Sequence, residues 1–527
     1  MNKEINILDS TLRDGGYCNN WEFGYENKKR IVDSLIASDV DVIECGLLSK
    51  GEYSREQSKY SNILDVSEFI SRNGFTNKLF VVLMNYGDYD IASLPDCENT
   101  DIDGIRLAFH KKDVAEAIEA MKMLKEKHYK VFMQPMVTVN YTTDEYVSLI
   151  SNANKFEPYA FYIVDSFGNM KADALKKYFE LANYLLNTNI ILGLHTHNNL
   201  QLAYSNAQLF AMENTDRKRM IDCCIMGMGR GAGNLNTELV LNYMNTYRGT
   251  DYKVEPILKA IDNIISIFYQ KKYWGYSLPN YLSASHNMHP NYGTFLADKN
   301  TLTIEMMNEV LSLVDFERRN TFDKKYIEEL YVSYMSANSM KNTARQSLKE
   351  IFSDKEVLII SPGKSIDTEN DKILSFLAVR NLIKISVNFE CKTIPVDYIF
   401  VSNPKRYEAL KLEQDSNLIA TSNIRSGENA IIVDYFNLLS EENYVRDNST
   451  MMLIKLLIES GASKIYLAGV DGYDNESKDN YTILSSTLVT SYEYMTQMNK
   501  AMTNMLHKYM QEIDIQFVTS EKMIRRV

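Results

Sequence analysis

Three short stretches hold side chains whose types and spacing could do chemistry. Near the N-terminus, Arg13 and Asp14 place a guanidinium beside a carboxylate just past the apolar run INILDSTL, 5–12. Farther along, His195-Thr196-His197 ends the run NIILGLHTH, 189–197. Side chains alternate faces along a strand, so both imidazoles point to the same side, a spacing suited to two ligands on one metal ion. The third stretch is Gly227-Met228-Gly229-Arg230-Gly231-Ala232-Gly233-Asn234. Its glycines allow close backbone approach to a ligand, and Asn234 offers a neutral oxygen that could complete an oxygen-rich octahedral site. Two histidines and one carboxylate form an open three-ligand set that leaves positions for substrate. Taken singly, HTH reads as a polar strand end and RDG as a turn; together they favour a metal.

Something must bring these stretches to one place. Up to about residue 247, eight short runs rich in Val, Ile and Phe recur, at 5–12, 40–47, 78–85, 102–109, 130–137, 160–167, 189–197 and 220–228. Segments of helical period lie between them, such as ENKKRIVDSLIAS and DVAEAIEAMKMLKEK. Strands apolar on both faces, each followed by a helix, indicate a parallel sheet, and eight such units close into a (β/α)8 TIM barrel. A doubly wound sheet is the alternative, but it would more often use five or six strands. In a barrel the reactive groups sit at the C-terminal ends of the strands, where all three stretches fall.

Residues 248–300, rich in Tyr, Asn and His, are expected to cover one end of this barrel, giving an N-terminal domain over 1–300. Residues 301–352 read as a helical extension or linker. Strand and helix alternation resumes after that, so 353–527 is expected to be a Rossmann-like α/β domain.

Composition narrows the partners. The chain of 527 residues carries 57 Lys and Arg against 69 Asp and Glu, a net charge of −12, and is 45% hydrophobic. It can build real cores, and without a basic block it is a poor match for nucleic acid. No signal-like N-terminus or apolar stretch of about 18 residues occurs, so we expect no membrane span and a cytoplasmic protein. Cys18, Cys45, Cys97, Cys223, Cys224 and Cys391 form no CxxC pair, as a reducing compartment tolerates, and no structural disulfide is expected. A small molecule is the expected partner.

Arg13-Asp14 after a first strand, HxH after a seventh and GxGxxxGN after an eighth resemble the DRE-TIM metallolyases, the superfamily of 3-hydroxy-3-methylglutaryl-CoA lyase, isopropylmalate synthase and 4-hydroxy-2-oxovalerate aldolase. Gly15 at the third position of the first motif is similar to the aldolase branch. So are Asp165-Ser166-x-Gly168 after strand six and Arg106 near the end of strand four. By this resemblance, which spans about residues 4–300, Asp14, His195, His197 and Asn234 would hold Mn²⁺, Mg²⁺ or Co²⁺. Arg13 would stabilise an enolate, and Arg106 and Ser166 would bind substrate. The implied reaction makes or breaks a carbon–carbon bond next to a small anionic 2-oxo acid, whose developing oxyanion a metal and a guanidinium neutralise. A homo-oligomer is expected.

One position departs from the branch. The aldolases' RDGxH motif has a histidine where this chain has Tyr17, and a phenol titrating at about 10 is a poor general base at neutral pH. Replacement bases are His286, His289, Tyr292 and Tyr141; of these we single out His289 as catalytic and Tyr292 as a substrate contact. Glu44, at the end of strand two, could position Arg13 or the metal's water.

In the C-terminal part SPGKS at 361–365 is not a Walker A motif, since position 358 is Leu where that motif needs Gly. A strand, this turn and a helix can still offer backbone N–H groups to a phosphate. Gly363, Ser365 and Asp471 are the candidate ligand residues, for a nucleotide or nucleotide sugar, and this part is faintly similar to sialyltransferase-like Rossmann-type proteins of surface-polysaccharide synthesis. The fusion suggests an unusual acidic or branched sugar as product. Two alternatives stand: a non-catalytic barrel fused to a nucleotide-sugar-binding or glycosyltransferase-like domain, and a Claisen-type acyl-CoA condensing enzyme.

Overall fold

A computed structural model describes residues 4–70, 77–299, 301–336, 343–410, 417–427, 429–473 and 492–520. They divide into two compact units, 1–295 with 314–323, and 296–313 with 324–527.

The first unit is a closed parallel barrel of β1 (Ile5–Asp9), β2 (Val42–Leu48), β3 (Leu79–Asn85), β4 (Gly104–Phe109), β5 (Lys130–Pro135), β6 (Ala160–Asp165), β7 (Ile191–Thr196) and β8 (Arg219–Cys223). Each strand pairs in parallel with the next, and β8 and β2 both pair with β1, which shuts the ring. A two-residue strand, Lys59–Tyr60, hangs on β2.

Period-two alternation sorts the barrel interior into layers. Leu8, Val42, Val81, Phe132, Ala160, Tyr162, Val164, Ile191 and Met220 form an inner apolar cluster. Two residues along toward the strand C-termini, the inward positions turn polar: Glu44 after Val42, Gln134 after Phe132, and Asp222 after Met220. The outward faces of the strands and the surrounding helices make a separate, larger apolar core. Local signals set the helices; Thr142 and Glu145, for example, form a complete capping box that starts the helix Thr143–Phe156, a device worth about 1 kcal/mol.

Two expected strand runs are shorter than their apolar sequence suggests. The first ends at Asp9, because the Asp9 carboxylate accepts the Thr11 N–H and turns the chain into the helical turn Thr11–Asp14. The eighth ends at Cys223, and residues 224–237 fold back on themselves: the Cys224 N–H donates to the Leu235 carbonyl, and the Asn234 N–H to that of Gly227. Beyond residue 247, the segment near residues 284–289 does cover the barrel's C-terminal end. There Asn169, in the loop after β6, donates to the Ala284 carbonyl, and Asn287 donates to Asn140 in the loop after β5.

The second unit is a parallel sheet of β9 (Glu356–Ile360), β10 (Ile383–Val387), β11 (Tyr398–Val401), β12 (Leu418–Thr421), β13 (Ile431–Val433), β14 (Lys464–Ala468) and β15 (Asp514–Phe517). Its order is β13-β12-β11-β10-β9-β14-β15, so the winding reverses between β9 and β14. The stretch expected as a helical extension or linker, 301–352, is built into this unit, apart from 314–323, which joins the barrel. Its helices Ile304–Ser312 and Lys324–Ser336 bury Met306, Met307, Val310, Leu311, Ile327, Tyr331 and Met335, an apolar stripe that a free linker would leave wet. Met340–Asn342 of the last expected helix lie outside the described residues. Among the described residues no helix is long and apolar enough to cross a membrane.

Candidate metal centre

Three strand ends meet at the barrel mouth. The turn after β1 delivers Asp14, and β7 delivers His195 and, one residue past its end, His197; all three are buried and offer ligand atoms within 4.8 Å of one another. Nε2 of His195 lies 3.5 Å and Nε2 of His197 3.8 Å from Oδ2 of Asp14. The loop after β8 returns to this point, where Asn234 bridges to His197 along the backbone. Gly233 takes φ +83° there, and a Cβ on it would lie 2.0 Å from the Gly227 carbonyl, so a side chain would force the loop open. On Gly229 a Cβ would reach 2.0 Å from Nδ2 of Asn234 and 3.1 Å from Oδ1 of Asp14; glycine leaves that space empty.

The donor set suits a divalent cation. Oδ1 of Asp14 and Oδ1 of Asn234 are both buried with no hydrogen-bond donor among the described residues, a costly state for a carboxylate and an amide oxygen unless a cation completes them. Burial pushes the His197 imidazole down to about 3, which keeps a lone pair on the ring. His195 has its Nδ1 3.0 Å from Oδ2 of Asp222. That carboxylate holds the proton on Nδ1 and turns Nε2 toward Asp14, as outer carboxylates do for metal-binding histidines.

Beneath the ligands lies a chain of buried charges. Arg13 Nε donates to Oε2 of Glu44 at 2.8 Å, and its Nη1 contacts Oδ2 of Asp14. The other Glu44 oxygen lies 2.9 Å from Nη1 of Arg106, whose Nη2 pairs with Asp222. The hydroxyl of Tyr162 donates to the second Asp222 oxygen at 3.0 Å. Burial opposes the charge on Asp14, but Arg13, ahead of the two histidines, outweighs it and holds the carboxyl well below its usual range. Two guanidiniums face three carboxylates here, an excess of one negative charge with the histidines neutral. A divalent cation would reverse the sign to a single positive charge, the right complement for a monoanionic substrate.

The structure distributes the remaining expected residues unevenly. Glu44 is buried and bridges Arg13 and Arg106 as a positioning group. Arg106 is not open to a substrate: it is fully buried and its charge is spent on Glu44 and Asp222. Ser166 accepts the Val137 N–H at 2.9 Å and thereby ties the loop after β5. The Tyr292 hydroxyl is engaged by backbone, 2.8 Å from the Arg318 carbonyl and 2.9 Å from that of Thr321, which corrects its expected role at the substrate. Tyr17 lies edge-on to Trp21 and under the Arg230 guanidinium, 4.9 Å away. His289 sits against that same guanidinium. In the second unit Gly363, Ser365 and Asp471 do come together, but their polar groups satisfy one another: Asp471 accepts both the Ser365 N–H, at 2.8 Å, and its hydroxyl. Sequence reasoning missed Asp222 and the contacts of Arg230 with Tyr17 and His289. The signal for Asp222 was present, as a lone carboxylate inside the apolar run MIDCCIMGM.

Asp9 gives a pH-dependent prediction. Burial raises its carboxyl to about 6, despite hydrogen bonds from Thr237 and Thr11. A carboxyl raised in the folded state favours folding while protonated; the contribution is intact below about pH 4 and lost as pH rises through 6, about 3 kcal/mol in all. Both tryptophans, Trp21 and Trp274, lie in the first unit, so urea unfolding followed by their fluorescence reports the barrel. Asp9→Asn should remove this decline between pH 4.5 and 7.5, and an unchanged slope would refute the assignment.

Residues 104–264 match the HMGL-like family model, a span that holds both histidines, Asp222 and the loop after β8. The 4-hydroxy-2-oxovalerate aldolase of Carboxydothermus hydrogenoformans is 29% identical over 279 residues, covering 50% of this chain and 78% of the relative. An oxaloacetate decarboxylase of Mycobacterium tuberculosis is 23% identical over 251 residues, 45% of this chain and 69% of the relative. Among solved structures, the N-terminal domain of a proposed aldolase from Bacteroides vulgatus aligns at 26% identity and a TM-score of 0.49, covering 57% of this chain and 98% of that domain.

Proposed function

We propose that this chain, whose barrel carries an HMGL-like domain, is a divalent-metal-dependent aldolase or lyase that makes or breaks the carbon–carbon bond next to a 2-oxo acid. The observation that carries the reading is the convergence of Asp14, His195 and His197 with two donorless buried oxygens, beside a guanidinium. A divalent ion held by these residues and Asn234 would supply Lewis-acid polarisation of the 2-oxo group. Arg13 does the rest of the charge work on the enolate. Glu44 and Asp14 fix its Nε and Nη1, no described residue accepts from Nη2, and that edge is left to donate to the developing oxyanion. Glu44, Arg106 and Asp222 hold this geometry from below, so little reorganisation is needed as charge develops. The test has two parts: calorimetry with Mn²⁺, Mg²⁺ and Co²⁺, then pyruvate release from 4-hydroxy-2-oxo acids by the loaded protein. We expect one of the ions to bind and to be required for release; failure of all three to bind would defeat the reading.

Decarboxylation of a 3-carboxy-2-oxo acid is a second reading, and Tyr17 favours it. Loss of CO₂ generates the same enolate without a base to take a hydroxyl proton, the task for which the aldolase motif has its histidine. Carbon dioxide release from oxaloacetate, compared with aldehyde release from 4-hydroxy-2-oxovalerate, separates the two.

For the second unit we infer a site for a nucleotide or nucleotide sugar, in a chain that serves the making of an acidic sugar. The support is positional. Open parallel sheets bind ligands beyond their strand C-termini where the winding reverses, and a cavity of about 110 Å³ lies there, lined by Ser361, Asn388, Ser449, Thr450 and Asp471. Hydroxyls, amides and one carboxylate suit the sugar portion of such a ligand. Thermal shift against nucleoside monophosphates and nucleotide sugars is the test, and no response at millimolar ligand would remove the proposal.

A further inference from the structure

Arg230 is a cation at the barrel mouth for which no described residue supplies a counter-ion. It lies in the loop after β8, next to Gly229, which packs against Asp14 and Asn234. Its guanidinium lies over the Tyr17 ring, its Nε is buried without a partner, and its Nη1 is 3.0 Å from Nε2 of His289. Among the described residues no carboxylate forms an ion pair with it, whereas Arg13 and Arg106 are each paired twice.

The contact with His289 is itself informative. Nδ1 of His289 faces the Asn291 N–H at 3.2 Å, and Nε2 faces the Arg230 guanidinium. A neutral imidazole has one acceptor nitrogen and one N–H, so it cannot accept from both. In the tautomer in which Nδ1 accepts from the backbone N–H, the proton is on Nε2, on the side of Arg230. In that tautomer two donors lie side by side, 3.0 Å apart. Protonating the ring offers no relief, because burial and then the Arg230 charge hold it well below its ordinary range. The ring is also fixed in place, 6.4 Å from Phe167 and stacked on Phe322, so it presents this N–H at a set position.

We propose that Arg230 and the Nε2–H of His289 form a receptor for an anionic oxygen group on the second substrate. The inference rests on reading the barrel as a 2-oxo-acid lyase, and it adds the class of the partner: an aldehyde or oxo compound that carries a carboxylate or a phosphate, not a neutral one. An oxyanion set beside the two nitrogens, within reach of both, accepts from them and supplies a counter-charge to Arg230. His289 is then a substrate-binding donor and not the general base expected from sequence. The 2-oxo-acid half keeps its own cation, Arg13, so the two ends of the substrate are read by different guanidiniums.

The test uses the full chain with Mg²⁺. In aldol addition of pyruvate, succinic semialdehyde is compared with butanal, and glyceraldehyde 3-phosphate with glyceraldehyde; the first pair reads a carboxylate and the second a phosphate. We expect at least a tenfold preference in kcat/KM for the charged member of one pair, which Arg230→Gln abolishes and Arg230→Lys partly restores. Calorimetry with acetate and with inorganic phosphate supplies a readout free of turnover, and the preferred anion should bind at least tenfold more weakly to Arg230→Gln. Equal use of charged and neutral acceptors by a protein that turns over pyruvate overturns this proposal alone. Anion binding lost in Arg230→Gln, in a protein with no lyase or exchange activity, supports the receptor and overturns the lyase reading. Anion binding that is undiminished in a folded Arg230→Gln also overturns the receptor.

Discussion

Asp14→Asn should weaken Mn²⁺ or Mg²⁺ binding by at least about 100-fold and carry lyase turnover down with it. Loss of a group that only orients a ligand costs 10- to 100-fold in metal affinity, and Asp14 stands closer than that. It contributes the sole anionic oxygens of the Asp14, His195 and His197 set, and one of them, Oδ1, has no other partner. Asparagine keeps the volume but loses the charge, and its Nδ2 would present hydrogens toward Arg13 or into the cluster. The fold should survive, because Arg13 keeps its bond to Glu44. Calorimetry on the variant checks this, with tryptophan fluorescence in urea as the control for folding. Undiminished affinity would mean that the metal is held elsewhere.

The largest loss of stability is expected from Asp222→Asn. Asp222 serves three buried partners at once: Nη2 of Arg106, Nδ1 of His195 and the Tyr162 hydroxyl. An amide can keep its oxygen toward Arg106 and His195 only by turning its NH₂ to the Tyr162 hydroxyl, and in any orientation it carries no charge to answer the buried guanidinium. Burial opposes the charge of Asp222, and Arg106, followed by His195, holds its carboxyl below the usual range, so the pairing sustains the carboxylate. Breaking a buried pair from one side costs about 3–5 kcal/mol, since the partner charge stays behind in the interior. The barrel transition read by Trp21 and Trp274 should move to lower urea by that amount, and metal affinity should fall about 10- to 100-fold as His195 loses its orientation. A variant as stable as the parent would show that Arg106 does not depend on Asp222.

The two predictions differ in how far the sequence foretold them. Asp14, His195 and His197 were readable because the HxH spacing has period two and the flanking runs are apolar on both faces, which makes them parallel strands with a defined mouth. Asp222 was not singled out, although an isolated carboxylate in MIDCCIMGM is visible, because its partners come from β4, β6 and β7 and only barrel closure brings them within reach. Arg106 was assigned to substrate for the same reason: its position at a strand end is local information, and its saturation by Glu44 and Asp222 is not. The strand count of the barrel was legible, but the ends of its first and last strands were not, since the Asp9 cap and the return of residues 224–237 are tertiary contacts written over apolar sequence. In the C-terminal part the sequence showed strands and helices without their order, because parallel strands are joined by long crossovers that leave neighbours unspecified. The reversal between β9 and β14 comes from the fold alone. Tyr292 was misread because a tyrosine near a mouth looks the same in sequence whether its hydroxyl meets a substrate or two backbone carbonyls.

The central claim is that the barrel mouth stabilises the enolate of a 2-oxo acid, and proton exchange at the pyruvate methyl group reads that step without any knowledge of the second substrate. With the Mg²⁺-loaded chain in D₂O, followed by proton NMR, the methyl signal should decay by deuterium exchange. The exchange should stop without the metal and in Asp14→Asn. A methyl signal that persists with the metal bound, or that decays equally in Asp14→Asn, would contradict the account.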